Sequence, residues 1–194
     1  MIFQPFLEII TVGDELLAES SHDTNSDHIA GWALKNGLII KFRTVVGDQP
    51  DNLENAVKTA IHRVNIIVIT GGLGPTWDDV TRQAIAKSID KELRLHKGAE
   101  DSMMKAYQAR SIQPDSQEMV QAWLPEGSEH LNNPVGLAPG IFYKGVNFSI
   151  LAFPGVPAEM RAMLESFPIK DLLSMPFDPM FETKKTIRII KGSQ

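Results

Sequence analysis

A glycine-rich stretch followed by two acidic residues is the part of this sequence with the clearest chemical potential. Residues 65–82 read NIIVITGGLGPTWDDVTR, so a β-branched apolar run ends in three glycines within four residues and then in Asp78 and Asp79. Glycine lets the backbone approach a ligand closely, and free N–H groups at the start of a helix favour anions. The pattern predicts a buried strand, a phosphate-binding turn and a helix that begins at Asp79 and is capped by Thr76.

Two well-known phosphate loops do not match this stretch. A dinucleotide-binding loop requires glycine where Trp77 stands, and a P-loop requires a lysine, which is absent between Lys58 and Lys87. One acid could simply stabilise the positive end of the helix dipole, by about 0.3–1 kcal/mol. Two adjacent acids would repel a bare phosphate, however, so we expect a divalent cation to lie between carboxylate and phosphate.

Two earlier apolar runs also end in glycine next to an acid, at Gly13-Asp14-Glu15 and at Gly47-Asp48. The apolar runs alternate with amphipathic helical segments, and this order predicts a parallel sheet with helices on both faces. The carboxyl ends of parallel strands lie at the same edge of a sheet, where ligands bind. We therefore expect Asp14, Asp48 and the pair Asp78 and Asp79 to lie along one rim and to face one crevice.

The second half of the chain gives weaker patterns. It predicts a short strand or extended link at 93–95, helices over 98–109 and 117–123, loops at 125–127 and 132–136, and a hairpin of 141–143 with 148–153. Pro154-Gly155 then leads into a further helix, so this turn joins the same edge of the sheet. A rigid proline turn without a ligand is an equally weighted alternative.

Composition excludes several classes of protein. The chain has 194 residues, and a net charge of −5 gives no general attraction to nucleic acid. It contains no cysteine, which rules out disulfides and thiolate catalysis and is compatible with a cytoplasmic location. We find no signal peptide and no apolar run long enough to span a membrane, so no membrane partner is expected.

We expect one domain over 1–167, with 168–194 as a linker and the start of a following strand at Thr186–Ile190.

Six motifs occur in the order and spacing of the CinA family. They are GDELL at 13–17, DTN at 23–25, VGD at 46–48, TGGLGPT-x-DD-x-T at 70–81, NPVG-x-APG at 133–140 and PGVP-x-EM at 154–160. The sequence resembles in particular the N-terminal domain of CinA proteins, which belongs to the molybdopterin-binding MoaB/MogA-like superfamily. The resemblance extends from about Ile9 to Leu164.

This resemblance implies a three-layer α/β/α MogA-like fold with a mostly parallel sheet, in a homo-oligomer that is a dimer or a trimer. CinA-type domains are associated with metal-dependent hydrolysis of ADP-ribose to AMP and ribose 5-phosphate, whereas related proteins bind molybdopterin and adenylylate it. By resemblance, Asp48 and Asp79 would be the catalytic and metal-binding residues. The implied metal is Mg²⁺, Mn²⁺ or Co²⁺, and potassium is a further candidate ion.

The residues expected to contact a nucleotide or a pterin come from the strand-to-helix turns and the motifs. They are Gly13, Asp14, Glu15, Asn25, Gly71, Gly72, Leu73, Gly74, Thr76, Asp78, Gly140, Pro154 and Gly155.

The sequence departs from the usual CinA pattern at four positions, Glu19, Gln117, Glu118 and Leu137. Glu19 adds a charge to the first loop, and Leu137 removes a hydroxyl near the expected ligand. Three hypotheses therefore stay open: a metal-dependent nucleotide pyrophosphatase, a molybdopterin-binding or adenylyltransferase domain, and a non-catalytic regulatory module of a longer CinA-like protein.

Overall fold

A computed structural model describes residues 4–18 and 22–175 of the chain. The strands are β1 (Phe6–Val12), β2 (Ile39–Val46), β3 (Ile66–Thr70), β4 (Leu93–Leu95), β5 (Trp123–Pro125), β6 (Glu129–Leu131), β7 (Gly140–Lys144) and β8 (Ser149–Phe153). The α-helices are α1 (Thr24–Lys35), α2 (Pro50–Ile61), α3 (Thr81–Ser88), α4 (Lys97–Ala109), α5 (Pro157–Ser166) and α6 (Lys170–Leu173). Two 3-10 helices cover Asp14–Leu17 and Glu118–Ala122.

Six strands form one sheet in the order β2-β1-β3-β8-β7-β6. β1 runs parallel to β2 and β3, and β3 runs parallel to β8. β7 is antiparallel to β8, and β6 is antiparallel to β7. The predicted mostly parallel sheet is therefore confirmed. β4 and β5 pair separately in a small antiparallel sheet.

Helices cover both faces of the large sheet, which gives the three-layer arrangement. On one face α2, α3 and α4 bury side chains such as Leu53, Ile85 and Met103 against the strands. On the other face α1, α5 and α6 bury Ile29, Met160 and Leu172. The central strands are covered on both sides, which explains why β3 is apolar at consecutive positions and does not alternate.

The four parallel strands end at the same edge of the sheet, and the turns that follow them form its rim. The strand ladder continues into two of these turns, since Gly13 donates to the Val46 carbonyl at 2.9 Å and Gly71 donates to the Phe153 carbonyl at 3.0 Å. Gly71 has a φ of 106°, and a Cβ there would lie 2.3 Å from the Val12 carbonyl oxygen. Only glycine can therefore bring this turn so close to β1.

Three local predictions need correction. Trp123 lies in β5 and not in a helix, and the short strand β6 was not expected, because three-residue strands are too short to show an alternating pattern. The helix after the glycine turn begins at Thr81 and not at Asp79.

The described chain ends at Met175, so the predicted strand at Thr186–Ile190 lies outside it, as does Glu19. Between Phe167 and Met175 the chain forms α6, and Leu172 is fully buried. The domain boundary at 167 stays a prediction. In residues 4–18 and 22–175, every helix is too short or too polar to cross a bilayer.

Candidate functional site

A cavity of about 660 Å³ lies at the rim formed by the ends of the parallel strands. This volume suits a ligand of nucleotide size. Most of the residues predicted from sequence line it: Gly13, Glu15, Asp48, Gly71, Gly72, Leu73, Gly74, Asp78, Asp79, Pro154 and Gly155. The structure thus brings together turns that are up to 142 positions apart, from Gly13 to Gly155.

The glycine loop, residues 71–75, is held by its carbonyl groups. Thr81 donates from its hydroxyl to the carbonyl oxygen of Gly71 at 2.8 Å and from its N–H to that of Gly72 at 3.0 Å. The buried Arg82 guanidinium donates to the next two carbonyl oxygens, at 2.6 and 2.8 Å. Burial lowers the pKa of Arg82, and the neighbouring Asp79 partly offsets this. The first turn of α3 therefore binds four successive carbonyl groups of the loop.

The N–H groups of the same loop are available. Those of Gly72, Leu73 and Gly74 have no hydrogen-bond acceptor in the described part of the chain. All three residues line the cavity. A row of free backbone N–H groups beside a cavity is a typical binding site for phosphate.

Asp79 fixes the end of the glycine loop. Its Oδ2 accepts from the backbone N–H of Thr76 at 2.9 Å and from the Thr76 hydroxyl at 2.5 Å. Thr76 was predicted to cap α3, but it pairs with Asp79 in the turn before the helix, and Val80 precedes α3 without a side-chain cap. A Cβ at Gly74 would lie 2.4 Å from Asp79 Oδ2, so a side chain at this position would displace the Asp79 carboxylate.

Asp48 and Asp14 lock two strand-end turns together. The N–H of Asp14 donates to Asp48 Oδ2, and the N–H of Asp48 donates to Asp14 Oδ1, both at 3.1 Å. Partial burial raises the pKa of Asp48, and the charges of Asp14, Glu15 and Asp78 add to this increase, although the hydrogen bond from Asp14 acts against it. Asp48 lines the cavity, whereas Asp14 supports it from outside the lining.

Besides Asp14, three predicted contact residues lie outside the lining of this cavity. Asn25 lines a smaller adjoining cavity of about 250 Å³, where its Nδ2 donates to Thr70 Oγ1 at 3.2 Å and to the Gly155 carbonyl at 2.8 Å. Gly140 lies in β7, where a Cβ would meet the Ala152 carbonyl at 2.7 Å, so this glycine serves strand packing. The exposed Thr76 acts on the loop only through Asp79.

The far wall of the cavity was not predicted as a site. It comes from α4 and the residue after it, the second 3-10 helix, the 133–138 loop and the first turn of α5, with Tyr107, Arg110, Glu118, Gln121, Val135, Gly136, Leu137, Ala138 and Glu159 as lining residues. Asn133 shapes the 133–138 loop, since its Oδ1 accepts from the N–H of Gly136 at 2.7 Å and its Nδ2 donates to the Ala138 carbonyl at 3.0 Å. Only the NPVG-x-APG and PGVP-x-EM motifs and the departures at Glu118 and Leu137 pointed to this wall.

The charge of the cavity is strongly negative. Six lining residues are acids, namely Glu15, Asp48, Asp78, Asp79, Glu118 and Glu159, whereas Arg110 is the single basic lining residue among those described. The Arg110 guanidinium is already engaged, donating to the Val135 carbonyl at 2.8 Å. A phosphate could reach the free N–H groups in such a field only with a cation that screens the carboxylates.

The acids do not form a complete metal site by themselves. In the described ranges, no three aspartate, glutamate or histidine side chains lie close enough together to hold a metal ion. Mg²⁺ in nucleotide enzymes is often bound by one or two carboxylates, water and the phosphates of the substrate. The residues present therefore fit a metal that arrives with a phosphorylated ligand.

Comparison with known proteins shows the family to which the domain belongs. Residues 8–174 match the family described as a probable molybdopterin binding domain. The chain belongs to this family. The domain is also 33% identical to the CinA protein from Thermoplasma acidophilum, with a TM-score of 0.80 over 87% of this chain and 98% of that one. The resemblance to CinA-type domains is therefore confirmed.

More distant structures share the fold. MoaB, a molybdopterin biosynthesis enzyme from Thermus thermophilus, has a TM-score of 0.58 and 20% identity, over 88% of this chain and 92% of that one.

A protein of Saccharolobus islandicus is 40% identical over 88% of this chain, and one of Pyrococcus horikoshii is 43% identical over 82% of it. The domain spans 65% and 66% of these two relatives, respectively, so they are considerably longer.

Proposed function

We propose that this domain is a divalent-metal-dependent pyrophosphatase that hydrolyses ADP-ribose or a similar dinucleotide to AMP and a sugar phosphate. The observation that carries the proposal is the glycine loop, whose N–H groups at Gly72, Leu73 and Gly74 are free beside a cavity rich in carboxylates. This combination fits a phosphoanhydride that enters with a cation.

The glycine loop would bind and orient the phosphates. Its carbonyl groups are held by Thr81 and Arg82, so the loop does not need to rearrange when a phosphate binds to its N–H groups. A loop fixed in this way lowers the entropic cost of placing the phosphorus atom in line for attack. Asp79 contributes to the same positioning through Thr76.

Asp48 is the acid that we expect to hold the metal, with Asp79 Oδ1 as the second predicted ligand. Asp79 Oδ1 accepts no hydrogen bond from the described residues, so it remains available. A bound Mg²⁺, Mn²⁺ or Co²⁺ would neutralise the phosphates and lower the pKa of an attacking water. Partial burial is the main cause of the raised pKa of Asp48, and the nearby negative charges, which a cation would screen, add to it.

The nearby acids have a separate role in the proposal. Glu15 and Asp78 line the same cavity and can accept hydrogen bonds from a water molecule or from ribose hydroxyls. In hydrolysis the water oxygen bonds to phosphorus, the bridging P–O bond breaks, and the water proton passes to a carboxylate or to solvent. We expect one of these two acids to orient that water.

The test is to incubate the protein with ADP-ribose and each metal and to measure AMP by chromatography. Wild type should form AMP only with metal, and Asp48→Asn should lose at least about 100-fold of kcat/KM, as expected for removal of about 2.7 kcal/mol of transition-state stabilisation. Asp51→Asn is a matched control, because Asp51 is exposed in the first turn of α2 and does not line the cavity. Absence of AMP from wild type, or full activity in Asp48→Asn, would reject the proposal.

The second candidate function is a molybdopterin-binding or adenylyltransferase domain, which the match of residues 8–174 to its family favours. It predicts that the purified protein retains a fluorescent pterin and that molybdopterin with Mg-ATP gives an adenylylated product.

The third candidate, a regulatory module of a longer protein, agrees with the greater length of the relatives. It predicts no binding of nucleotide or pterin by calorimetry. A cytoplasmic homo-oligomer, dimer or trimer, remains part of our proposal.

A further inference from the structure

Glu159 is an acid of the cavity wall that has no role in the hydrolysis proposed above. It lies in the first turn of α5, lines the main cavity and is half-buried, so it keeps accessible surface. An acid in the first turn stabilises a helix through the helix dipole, by about 0.3–1 kcal/mol. The dipole explains the charge but not the position of the carboxylate, which forms no hydrogen bond with the first turn of α5 and accepts from Asn133.

Asn133 fixes the orientation of this carboxylate. Its Oδ1 accepts from the N–H groups of Val135 at 3.2 Å and of Gly136 at 2.7 Å. These two backbone donors determine that the Nδ2 end of the amide faces Glu159. Nδ2 donates to Glu159 Oε2 at 2.7 Å and to the Ala138 carbonyl at 3.0 Å. The 133–138 loop thus holds one oxygen of the carboxylate in place.

Gly136 leaves the space that the carboxylate occupies. A Cβ at Gly136 would lie 2.1 Å from Glu159 Oε2 and 2.2 Å from its Cδ, so a side chain there would displace the acid. Gly136 itself lines the main cavity. The carboxylate therefore lies against the wall of the cavity, where a ligand can reach it.

The other oxygen of the carboxylate is available. Glu159 Oε1 accepts no hydrogen bond from the residues that the structure describes, and Glu159 forms no salt bridge with them. Arg110 is the basic residue of the same wall, but it donates to the Val135 carbonyl. A fixed carboxylate without a cation partner can accept hydrogen bonds from donor groups of a ligand.

The ligand group that suits Glu159 is an uncharged donor. A phosphate would be repelled by the carboxylate, and the free N–H groups of the glycine loop already suit the phosphates. Glu159 also cannot share one metal ion with Asp48 and Asp79, because no three acids of the described ranges lie close enough together. The 2′- and 3′-hydroxyls of a ribose are two adjacent uncharged donors, and a carboxylate is the group that binds ribose hydroxyls in dinucleotide-binding folds.

We propose that the Glu159 carboxylate accepts hydrogen bonds from the vicinal hydroxyl groups of a ribose in the ligand. Glu159 is then a specificity-determining residue that selects ribose over deoxyribose, while the glycine loop binds the phosphates. This inference rests on the proposed function in one respect, namely that a ribose phosphate occupies the cavity. ADP-ribose contains two riboses, and the experiment tells which of them Glu159 binds.

The experiment compares wild type with Glu159→Gln and with the control Glu165→Gln. Glutamine keeps the size of the side chain, and its amide oxygen can still accept from Asn133, which directs the NH2 group, a donor only, towards the ligand. Glu165 is an exposed acid on the same helix that does not line the main cavity. Calorimetry with Mg²⁺ gives the Kd of two probe pairs, AMP with 2′-deoxy-AMP and ribose 5-phosphate with 2-deoxyribose 5-phosphate.

Wild type should bind the ribose member of at least one pair about tenfold more tightly than the deoxyribose member, or about 1.4 kcal/mol. In Glu159→Gln the ratio of the two Kd values should fall to about one, because the hydroxyl and the carboxylate act as a coupled pair. Glu165→Gln should keep the ratio of wild type. The pair in which Glu159→Gln removes the preference identifies the ribose.

Three results would overturn the inference. Wild type without a preference for ribose in either pair would show that no carboxylate reads the hydroxyls. An undiminished ratio in Glu159→Gln would assign the hydroxyls to another residue. Equal weakening of both members of a pair would show only a general effect of charge on phosphate binding. Urea unfolding identifies a purely structural role, in which Glu159→Gln would be less stable and would keep the full ratio.

The outcome can be separated from that of the proposed function. Loss of the ribose preference in Glu159→Gln would support the inference even if wild type formed no AMP from ADP-ribose, a result that rejects the pyrophosphatase. Hydrolysis of ADP-ribose together with an undiminished ratio in Glu159→Gln would reject only the inference. Wild type that binds none of the four probes would reject both.

Discussion

Two groups of charged side chains at different ends of the sheet differ in whether their charges are paired. Glu8 lies near the start of β1 and is completely buried. Both of its carboxylate oxygens are paired, Oε2 with Arg63 Nε at 2.8 Å and Oε1 with Arg63 Nη2 and the Thr44 hydroxyl, the latter at 2.7 Å. The Arg63 guanidinium also packs over the ring of Phe42 at 3.8 Å. Every charge in this group is compensated.

The group at the carboxyl ends of the strands is not compensated. Asp14, Glu15, Asp48 and Asp78 form no salt bridge with any described residue. Their mutual repulsion contributes to the raised pKa of Asp48. A paired buried charge serves the fold, whereas a group of unpaired acids costs stability and remains available for a cation. The comparison therefore agrees with the proposal that the second group serves a ligand and not the fold, and four predictions test this difference.

The largest effect is expected for Glu8→Ala. Removing Glu8 leaves Arg63 without its carboxylate partner, and we expect the free energy of unfolding to fall by about 3 kcal/mol. Urea unfolding measures this change. Asp101→Ala is the control, because Asp101 pairs with Lys97 on the exposed surface of α4, where about 0.5 kcal/mol or less is expected. If both variants lost the same small amount, burial would not distinguish the two groups.

The second prediction, Arg82→Met, concerns the carboxyl ends of the parallel strands. Arg82 is buried there, but it binds two carbonyl groups of the glycine loop and forms no salt bridge with the described acids. Leaving these carbonyl groups unpaired should cost about 1–3 kcal/mol of stability. Binding of ADP-ribose with Mg²⁺ should weaken as well, since the loop would lose its fixed shape.

The control for this prediction is Arg82→Lys, which keeps the charge but not the planar guanidinium. It should lose less stability than Arg82→Met, as measured by urea unfolding. Unchanged ligand binding in Arg82→Met would show that the glycine loop does not depend on α3.

A smaller effect is expected for the stability of Asp48→Asn. The folded-state pKa of Asp48 is raised above its usual 3.8, so the folded state favours the protonated form. Protonated Asp48 therefore contributes to the stability of folded wild type at low pH, and this contribution is lost as the pH rises through the folded-state pKa. Asp48→Asn does not titrate at this position and should show no such loss. At neutral pH the variant should be more stable by about 0.5–1 kcal/mol, while its activity is lost.

Urea unfolding of wild type and Asp48→Asn between pH 4 and pH 7 tests this sign. The difference in unfolding free energy should increase with pH and favour the variant. A variant less stable than wild type at pH 7 would mean that the hydrogen bond from the Asp14 N–H outweighs the repulsion among the acids.

The smallest effect is expected for Trp77→Ala. Trp77 lies between the two residues Thr76 and Asp78 of the site, but its side chain is 92% exposed. Its removal should change the free energy of unfolding by about 0.5 kcal/mol or less. A loss above 1 kcal/mol in urea unfolding would show that Trp77 packs against another surface in solution.

Much of the fold and the phosphate-binding side of the site could be predicted from local sequence. The apolar runs that became β1, β2 and β3 are long enough to be recognised, and each is followed by glycine, which in β1 and β2 stands next to an acid. Parallel strands then place these turns at one edge. Short elements such as β5 and β6 gave no usable pattern. The start of α3 was misplaced because the side chain of Asp79 binds Thr76 and holds a turn before the helix.

The sequence by itself determined the family, the layered fold and the meeting of the glycine turns, since these depend on local patterns and on the geometry of parallel strands. Only the tertiary structure decided which hydrogen-bonding groups of the site are paired. Arg82 reaches the loop carbonyls across a turn, and Asp14 and Asp48 exchange hydrogen bonds although they lie 34 positions apart. Pairing depends on distances between side chains from separate elements, and no local pattern contains those distances.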